Sequence, residues 1–156
     1  MDDVRIREAA TEDADAIAVT YRNAYRENRE LGFPAKAESA TAEEVRDWIR
    51  NHRMLVAETD ETVVGGVRLE TVDDETVKLS RLGVREGWKG MGVGSRLLER
   101  AEESARARGS ERIRLVAPEK HPFLVEFYRS RGYTVTDEYR LDHHEYDEVA
   151  MEKTLG

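Results

Sequence analysis

An α/β domain built on a mixed sheet is predicted by three observations. Apolar alternation marks strands, 3.6-residue periodicity marks helices, and the two interleave in the order β α α β β β α β α β β. Hairpin links join some neighbouring strands and helical crossovers join others, so antiparallel and parallel pairing must coexist. The 156 residues hold no internal repeat, low-complexity tract or linker, and one domain is expected over residues 1–156.

Each element has its own signal. "VRIREA" (Val4 to Ala9) alternates as a strand does. Thr11 offers a helix N-cap, followed by Glu12 and Asp13, and Ala14, Ile17, Ala18, Tyr21 and Tyr25 keep helical spacing. "NRELGFPAKAES" carries Gly32 and Pro34 and reads as a loop. "TAEE" at Thr41 is a capping box, with Val45, Trp48 and Ile49 on the helix face behind it. "RMLVAE" and "TVVGGVRLE" are strands with a short hairpin link, and "TVKLSRLGV" (Thr76 to Val84) is the next strand. Gly83 inside it marks a bulge, a close backbone approach or a packing contact. From Val93 a helix carries Leu97, Leu98, Ala101 and Ala105 on one side and stops at Gly109. "RIRLVA" is a strand, Pro122 opens a helix that stops at Gly132, and "YTVTDEY" and "EVAMEK" are the last strands. Between them lies the loop "LDHHEYD".

Composition excludes several function classes. A net charge of −8 argues against a general nucleic-acid binder, which needs a basic surface. No stretch approaches the roughly 20 apolar residues of a membrane span. The acidic opening "MDDVRIREAA" enters a strand at once and does not read as a signal peptide, so a cytoplasmic location is expected. With no cysteine there is no disulfide, thiol nucleophile or thiolate metal site. Arginine far outnumbers lysine, which suits either a salt-rich cytoplasm or a GC-rich genome. His143 and His144 are adjacent, point apart on extended backbone and lack a third ligand at sensible spacing, so no metal is expected.

The informative stretch is "LGVREGWKGMGVGSRLL". Three alternate glycines, Gly90, Gly92 and Gly94, precede a long helix, although glycine weakens helices. Glycines there let the helix's unpaired amides converge on an anion such as phosphate. A Walker loop would need a Lys-Ser/Thr pair after the last glycine, where Ser95 and Arg96 stand. A dinucleotide fingerprint would need G-x-G-x-x-G early in a βαβ unit. The third reading is a loop for the pyrophosphate of coenzyme A. Lys89-Gly90-Met91-Gly92-Val93-Gly94 resembles the Q/R-x-x-G-x-G/A signature of the GNAT family of N-acetyltransferases, with lysine for the usual Gln or Arg. "FYRSRGYTV" resembles that family's second block, hYxxxGF, with Tyr133 for Phe. The element order resembles the family's over nearly the whole chain.

That resemblance implies a mixed, mostly antiparallel sheet with a splayed central strand pair and flanking helices. It implies acetyl-CoA as co-substrate, without a metal, and a primary amine as acceptor, a small molecule more than a protein. Direct attack within a ternary complex follows. The implied coenzyme contacts are Leu82, Gly83, Val84, Lys89, Gly90, Met91, Gly92, Val93, Gly94 and Ser95, with His121 where the family often has Asn. Tyr128 is the implied proton donor to the leaving thiolate, and backbone N–H groups around Gly83 the implied oxyanion donors. The base is open among Glu70, Glu75, Glu119 and a water path. Val116 stands where the protein-N-terminus acetylating branch often has Glu. The acceptor loops are expected at 28–39 and 141–147, with acids that draw in cationic amines. A homodimer is compatible with this reading. The rival class is a non-catalytic acyl-CoA-binding module of the same fold.

Overall fold

A computed structural model describes residues 4–60, 62–139 and 147–155. Among the described residues the strands are β1 (Arg5–Glu8), β2 (Arg53–Thr59), β3 (Thr62–Thr71), β4 (Thr76–Val84), β5 (Arg112–Pro118), β6 (Thr134–Tyr139) and β7 (Glu148–Thr154). The α-helices are α1 (Ala14–Ala24), α2 (Arg26–Glu30), α3 (Ala42–Asn51), α4 (Val93–Ala107) and α5 (Leu124–Arg129). The strands form one sheet in the order β1-β2-β3-β4-β5-β7-β6. Every neighbouring pair is antiparallel except β4 and β5.

Alternation along the strands sends side chains to two cores. Met54, Val56 and Val63 pack with Ile17, Tyr21 and Val45 of α1 and α3. Leu55, Ala57, Val64 and Val67 pack with Leu97, Leu98 and Ala101 of α4 on the other face. The "VVGGV" run is apolar throughout because β3 is covered on both faces. No helix among the described residues is long and apolar enough to cross a membrane.

Local signals mostly hold. Thr41 caps α3 by accepting from the Glu44 amide at 3.2 Å, and the Glu44 carboxylate accepts from the Thr41 amide at 3.3 Å. Gly109 and Gly132 end α4 and α5 with φ of +84° and +97°. Three boundaries differ. α5 starts at Leu124, two residues past the Pro122 expected to open it. Thr11 does not cap α1: residues Thr11–Asp13 form a 3-10 turn, and the Asp13 carboxylate, gripped by Arg7, accepts from the Ala10 amide at 2.7 Å. The expected loop at 28–39 is partly helical, because α2 follows α1 directly and Lys36–Ser39 makes a 3-10 turn.

The feature that positions the site is the central strand pair. β4 and β5 pair only through Thr76–Arg112, Val77–Ile113 and Lys78–Arg114. Beyond these residues the two strands diverge and a cleft opens between them. β5 keeps its full pairing with β7 on its far side, from Arg112–Thr154 to Pro118–Glu148. The register of β3 and β4 jumps from Gly66–Gly83 to Arg68–Ser80, so Arg81 and Leu82 together oppose Val67. This bulge puts Arg81 at φ +56°, and a bulge bends its strand and strengthens its twist.

Candidate active site

Two tyrosines of α1 hold the bulge. The Tyr21 hydroxyl donates to the Arg81 carbonyl at 2.5 Å, and the Tyr25 hydroxyl donates to the Leu82 carbonyl at 2.7 Å. Residues 21 and 25 lie one turn apart, so one helix face delivers both. Burial raises both phenols well above the ordinary tyrosine range, which keeps them donors. Gly83 completes the fit. A Cβ there would meet the Tyr25 ring at 2.8 Å and the Tyr21 ring at 3.2 Å. The glycine is thus a packing residue next to a bulge, which satisfies two of the readings its position allowed.

The cleft has a volume of about 1330 Å³. One wall is Lys78 to Val84 of β4, and the other is Leu115 to Pro118 of β5. Past the last paired residues, both inner edges are free of a strand partner among the described residues. An extended ligand with amide groups can pair with such edges as an added strand does.

One end of the cleft is the start of α4. Gly90 and Gly92 have φ of +80° and +82°, a left-handed backbone that residues with a Cβ adopt at a cost. Gly92 is the N-cap, no side chain caps the helix, and its first turn carries no acid. The positive pole of a 15-residue helix therefore faces the cleft uncompensated. Gly94 has ordinary helical backbone, and a Cβ there would have Phe127 at 3.7 Å and Val84 at 3.8 Å as its nearest neighbours. The protein itself thus leaves room for a small side chain at that position.

Arg131 stands beside this end. Its guanidinium lies 3.9 Å from the Phe127 ring centroid and donates to Ser95 Oγ through Nε (3.1 Å) and Nη2 (2.5 Å). Sequence reasoning missed this cation although it lies inside the quoted "FYRSRGYTV" block. Its role shows only where α5 returns to α4. Lys89 is on the lining too, but its ammonium donates to the Ala24 carbonyl at 2.9 Å and lies 3.6 Å from the Glu27 carboxylate. Its charge serves the α1–α2 junction.

Tyr128 lines the cleft from α5 and is 6% exposed. Its ring meets Phe127 and Tyr133 edge-on. Burial alone raises its phenol well above the ordinary tyrosine range, so the hydroxyl stays protonated at any working pH.

Of the other residues singled out from sequence, Leu82, Gly83, Val84, Gly90, Gly92, Val93, Gly94 and Ser95 line the cleft. Met91 does not and is 59% exposed. None of the three glutamates considered as bases lines it. Glu70 lies 3.4 Å from His52, Glu75 lies 3.3 Å from Arg112 at the closed end of the strand pair, and Glu119 borders a separate, smaller hollow. Among the described residues the carboxylates on the lining are Glu27 and Glu148, and Val116 is there as well.

Of the acids expected at the acceptor end, Glu30, Glu38 and Asp147 are among the described residues. Glu38 is paired with Arg29 at 2.8 Å and Glu30 with Arg26 at 3.8 Å. Among the described residues, the cationic side chains on the lining are Lys36, Lys78, Arg81, Lys89 and Arg131. His143, His144, Asp142 and Glu145 lie outside the described residues. Among the described residues no three His, Asp or Glu side chains gather as a metal site.

His121 is 5% exposed and lies off the main lining. Its Nδ1 accepts from the amides of Phe123 (3.3 Å) and Leu124 (3.2 Å), so Nε2 carries the proton and faces Asn28 Oδ1 at 3.4 Å. The ring caps α5 and ties it to the segment after α1. Burial lowers its pKa below the ordinary histidine value; Lys89 adds to this and Glu27 opposes it. The unfolded chain therefore takes up this proton first as pH falls. Stability is full above the ordinary value near 6.5 and declines as pH drops through it. Urea midpoints should fall between pH 7.5 and 5.5. His121→Asn can accept the same amides without titrating and should flatten that decline. Equal slopes for the two proteins would remove this role.

The comparisons with known proteins agree with this geometry. The family model described as "Acetyltransferase (GNAT) family" matches residues 19–133. The chain is 28% identical to the S-alkylcysteine N-acetyltransferase of Bacillus subtilis, covering 91% of this chain and 85% of that protein. It is 31% identical to an uncharacterised N-acetyltransferase of Mycobacterium tuberculosis over 65% of this chain and 67% of the relative. Among solved structures, the PaiA N-acetyltransferase of Thermoplasma acidophilum in complex with coenzyme A superposes with a TM-score of 0.84 at 22% identity, over 97% of this chain and 99% of that one. The ribosomal-protein-S18-alanine N-acetyltransferase of Escherichia coli superposes with a TM-score of 0.79 at 16% identity, over 99% and 95%.

Proposed function

The chain belongs to the GNAT acetyltransferase family and is an N-acetyltransferase, and from that premise we propose that it acetylates the primary amine of a small molecule by direct attack in a ternary complex. The observation that carries the reading is the cleft where β4 and β5 part, with the uncapped start of α4 at one end. Acetyl-CoA, when bound, supplies an activated acyl carbon and a thiolate leaving group.

Its pyrophosphate fits the amides after Gly92, where the helix dipole and Arg131 favour an anion and no carboxylate competes in the first turn. Its pantetheine amides fit the free inner edge of β4 from Leu82 to Val84. Backbone N–H groups of the same bulged stretch stabilise charge on the thioester oxygen. Tyr128 gives its proton to the departing sulfur, and the absence of cysteine excludes an acyl-cysteine intermediate. Glu70, Glu75 and Glu119 are all off the cleft, and the proton lost by the amine leaves through water or through Glu148 on the lining.

The small-molecule preference is supported by the name of the Bacillus subtilis relative and by Val116 on the wall. The test is thiol release from acetyl-CoA across a panel of amines, amino acids and peptides, with mass detection of the products. Release with small amines and not with peptides supports the reading. Release with peptides alone, or with none of the panel, overturns it.

A further inference from the structure

We infer that the acceptor carries a carboxylate as well as its amine, and that Arg81, backed by Arg68, holds this carboxylate at the acceptor end of the cleft. The inference rests on the acetyl-transfer reading and names the substrate class of the same site.

Arg81 sits in the bulge and lines the cleft. A left-handed backbone is uncommon for any residue other than glycine, so this side chain is aimed at a cost. Its guanidinium carbon lies 5.4 Å from the centroid of the Trp48 ring. The guanidinium of Arg68, on the neighbouring strand, lies 5.1 Å from the same ring. One indole thus serves two like charges.

Glu70 lies near enough to act on Arg68, but it makes no ion pair with either guanidinium. Elsewhere in the fold arginines meet acids: Arg7 meets Asp13 and Glu58, Arg26 meets Glu86, and Arg29 meets Glu38. Among the described residues, no carboxylate pairs with Arg68 or Arg81. Arg68 donates to Ser80 Oγ at 3.2 Å, while Arg81 Nε is shut from solvent with no acceptor. Burial, and secondly the nearness of Arg81, pushes the Arg68 guanidinium below its ordinary pKa, with Glu70 opposing. Two part-buried like charges side by side, one with an unmet N–H, are costly unless an anion joins them. A chain with 33 acids and 25 Lys plus Arg has ample means to supply its own carboxylate here. A guanidinium matches a carboxylate in a bidentate fork, which fixes orientation as well as charge. Lys36 and Lys78 add positive potential on the same lining, and Glu148 brings the opposite sign there, while Glu27 is already paired with Lys89. The acceptor that fits both poles is a zwitterion of the α-amino-acid type.

The test uses matched trios built on S-methylcysteine, methionine and phenylalanine: the amino acid, its amide and its decarboxylated amine. The wild-type kcat/KM should favour the acid by about 100-fold or more in at least one trio. Arg81→Gln should cut the acid-to-amide ratio by roughly 30-fold or more, the range expected for breaking a buried charge pair. Arg68→Gln should cut it less. Acetyl-CoA titration of each variant confirms folding. If no trio turns over, calorimetry of N-acetyl-S-methylcysteine against its methylamide, with coenzyme A present, replaces the rates. Turnover or binding without preference for the acid overturns the inference and leaves acetyl transfer standing. An unchanged ratio in folded Arg81→Gln does the same. Failure of every amine to release thiol overturns the acetyl-transfer reading itself.

Discussion

Tyr128→Phe lowers the rate of acetyl transfer by about two to four orders of magnitude, the usual worth of a positioned general acid. The substitution removes one oxygen and keeps the ring that packs edge-on against Phe127 and Tyr133. Among the described residues no hydrogen bond uses the Tyr128 hydroxyl, so its loss leaves no partner unsatisfied. Thermal stability should therefore change little, and acetyl-CoA affinity should stay within about twofold, a shift worth roughly 0.4 kcal/mol. Single-turnover rates, in which product release cannot limit, make the measurement. Because burial raises the phenol's pKa, the wild-type rate should show no loss of this acid below the ordinary tyrosine range. A phenylalanine variant with near wild-type single-turnover rates removes Tyr128 from the chemistry.

Gly92→Glu abolishes most coenzyme binding while the fold survives. The new side chain must adopt φ near +82°, at a cost of about 1–2 kcal/mol, but meets no protein atom within 4 Å of its Cβ. It sets a carboxylate at the helix pole proposed to hold the pyrophosphate. Repulsion and blocked approach together should weaken acetyl-CoA binding by about 100-fold or more, roughly 2.7 kcal/mol. Gly109→Glu is the control. That glycine has φ +84° and equally open surroundings, but it ends α4 instead of starting it. The two variants should lose similar stability, and only Gly92→Glu should lose affinity by titration calorimetry. A folded Gly92→Glu protein with wild-type affinity takes the pyrophosphate away from this loop.

The two positions differ in how far they can be read without coordinates. Gly92 belongs to a local pattern. A left-handed turn before a helix needs glycine whatever surrounds it, and the amides it exposes belong to the next three residues. The capping box at Thr41 and Glu44, the stops at Gly109 and Gly132, and the order of strands and helices are legible for the same reason: their causes lie within a few residues along the chain. Thr11 shows the limit even there. Its place as a cap passed to Asp13 because Arg7, six residues earlier, fixes that carboxylate beside the Ala10 amide.

The site's outer parts have causes far apart in sequence. Arg131 reaches Ser95 across 36 positions, and Tyr21 reaches the Arg81 carbonyl across 60. Glu70, Glu75 and Glu119 have the right chemistry for a base, but strand register sends them away from the cleft. The alternation that makes them strand-end or loop acids says nothing about which wall opens. An acceptor mouth of acids was expected from composition, yet Arg29 pairs with Glu38, and among the described residues cations outnumber acids on the lining. By itself the sequence determined the α/β order and the glycine loop, because backbone conformation and helix periodicity act locally, while Tyr128 was singled out only through the resemblance of its block to a family motif. Only the tertiary structure decided where β4 and β5 part, that two tyrosines of α1 clasp the bulge, and that Arg81 and Arg68 share Trp48 with no ion pair to either among the described residues. Those outcomes depend on register and packing between segments dozens of residues apart, which no local pattern encodes.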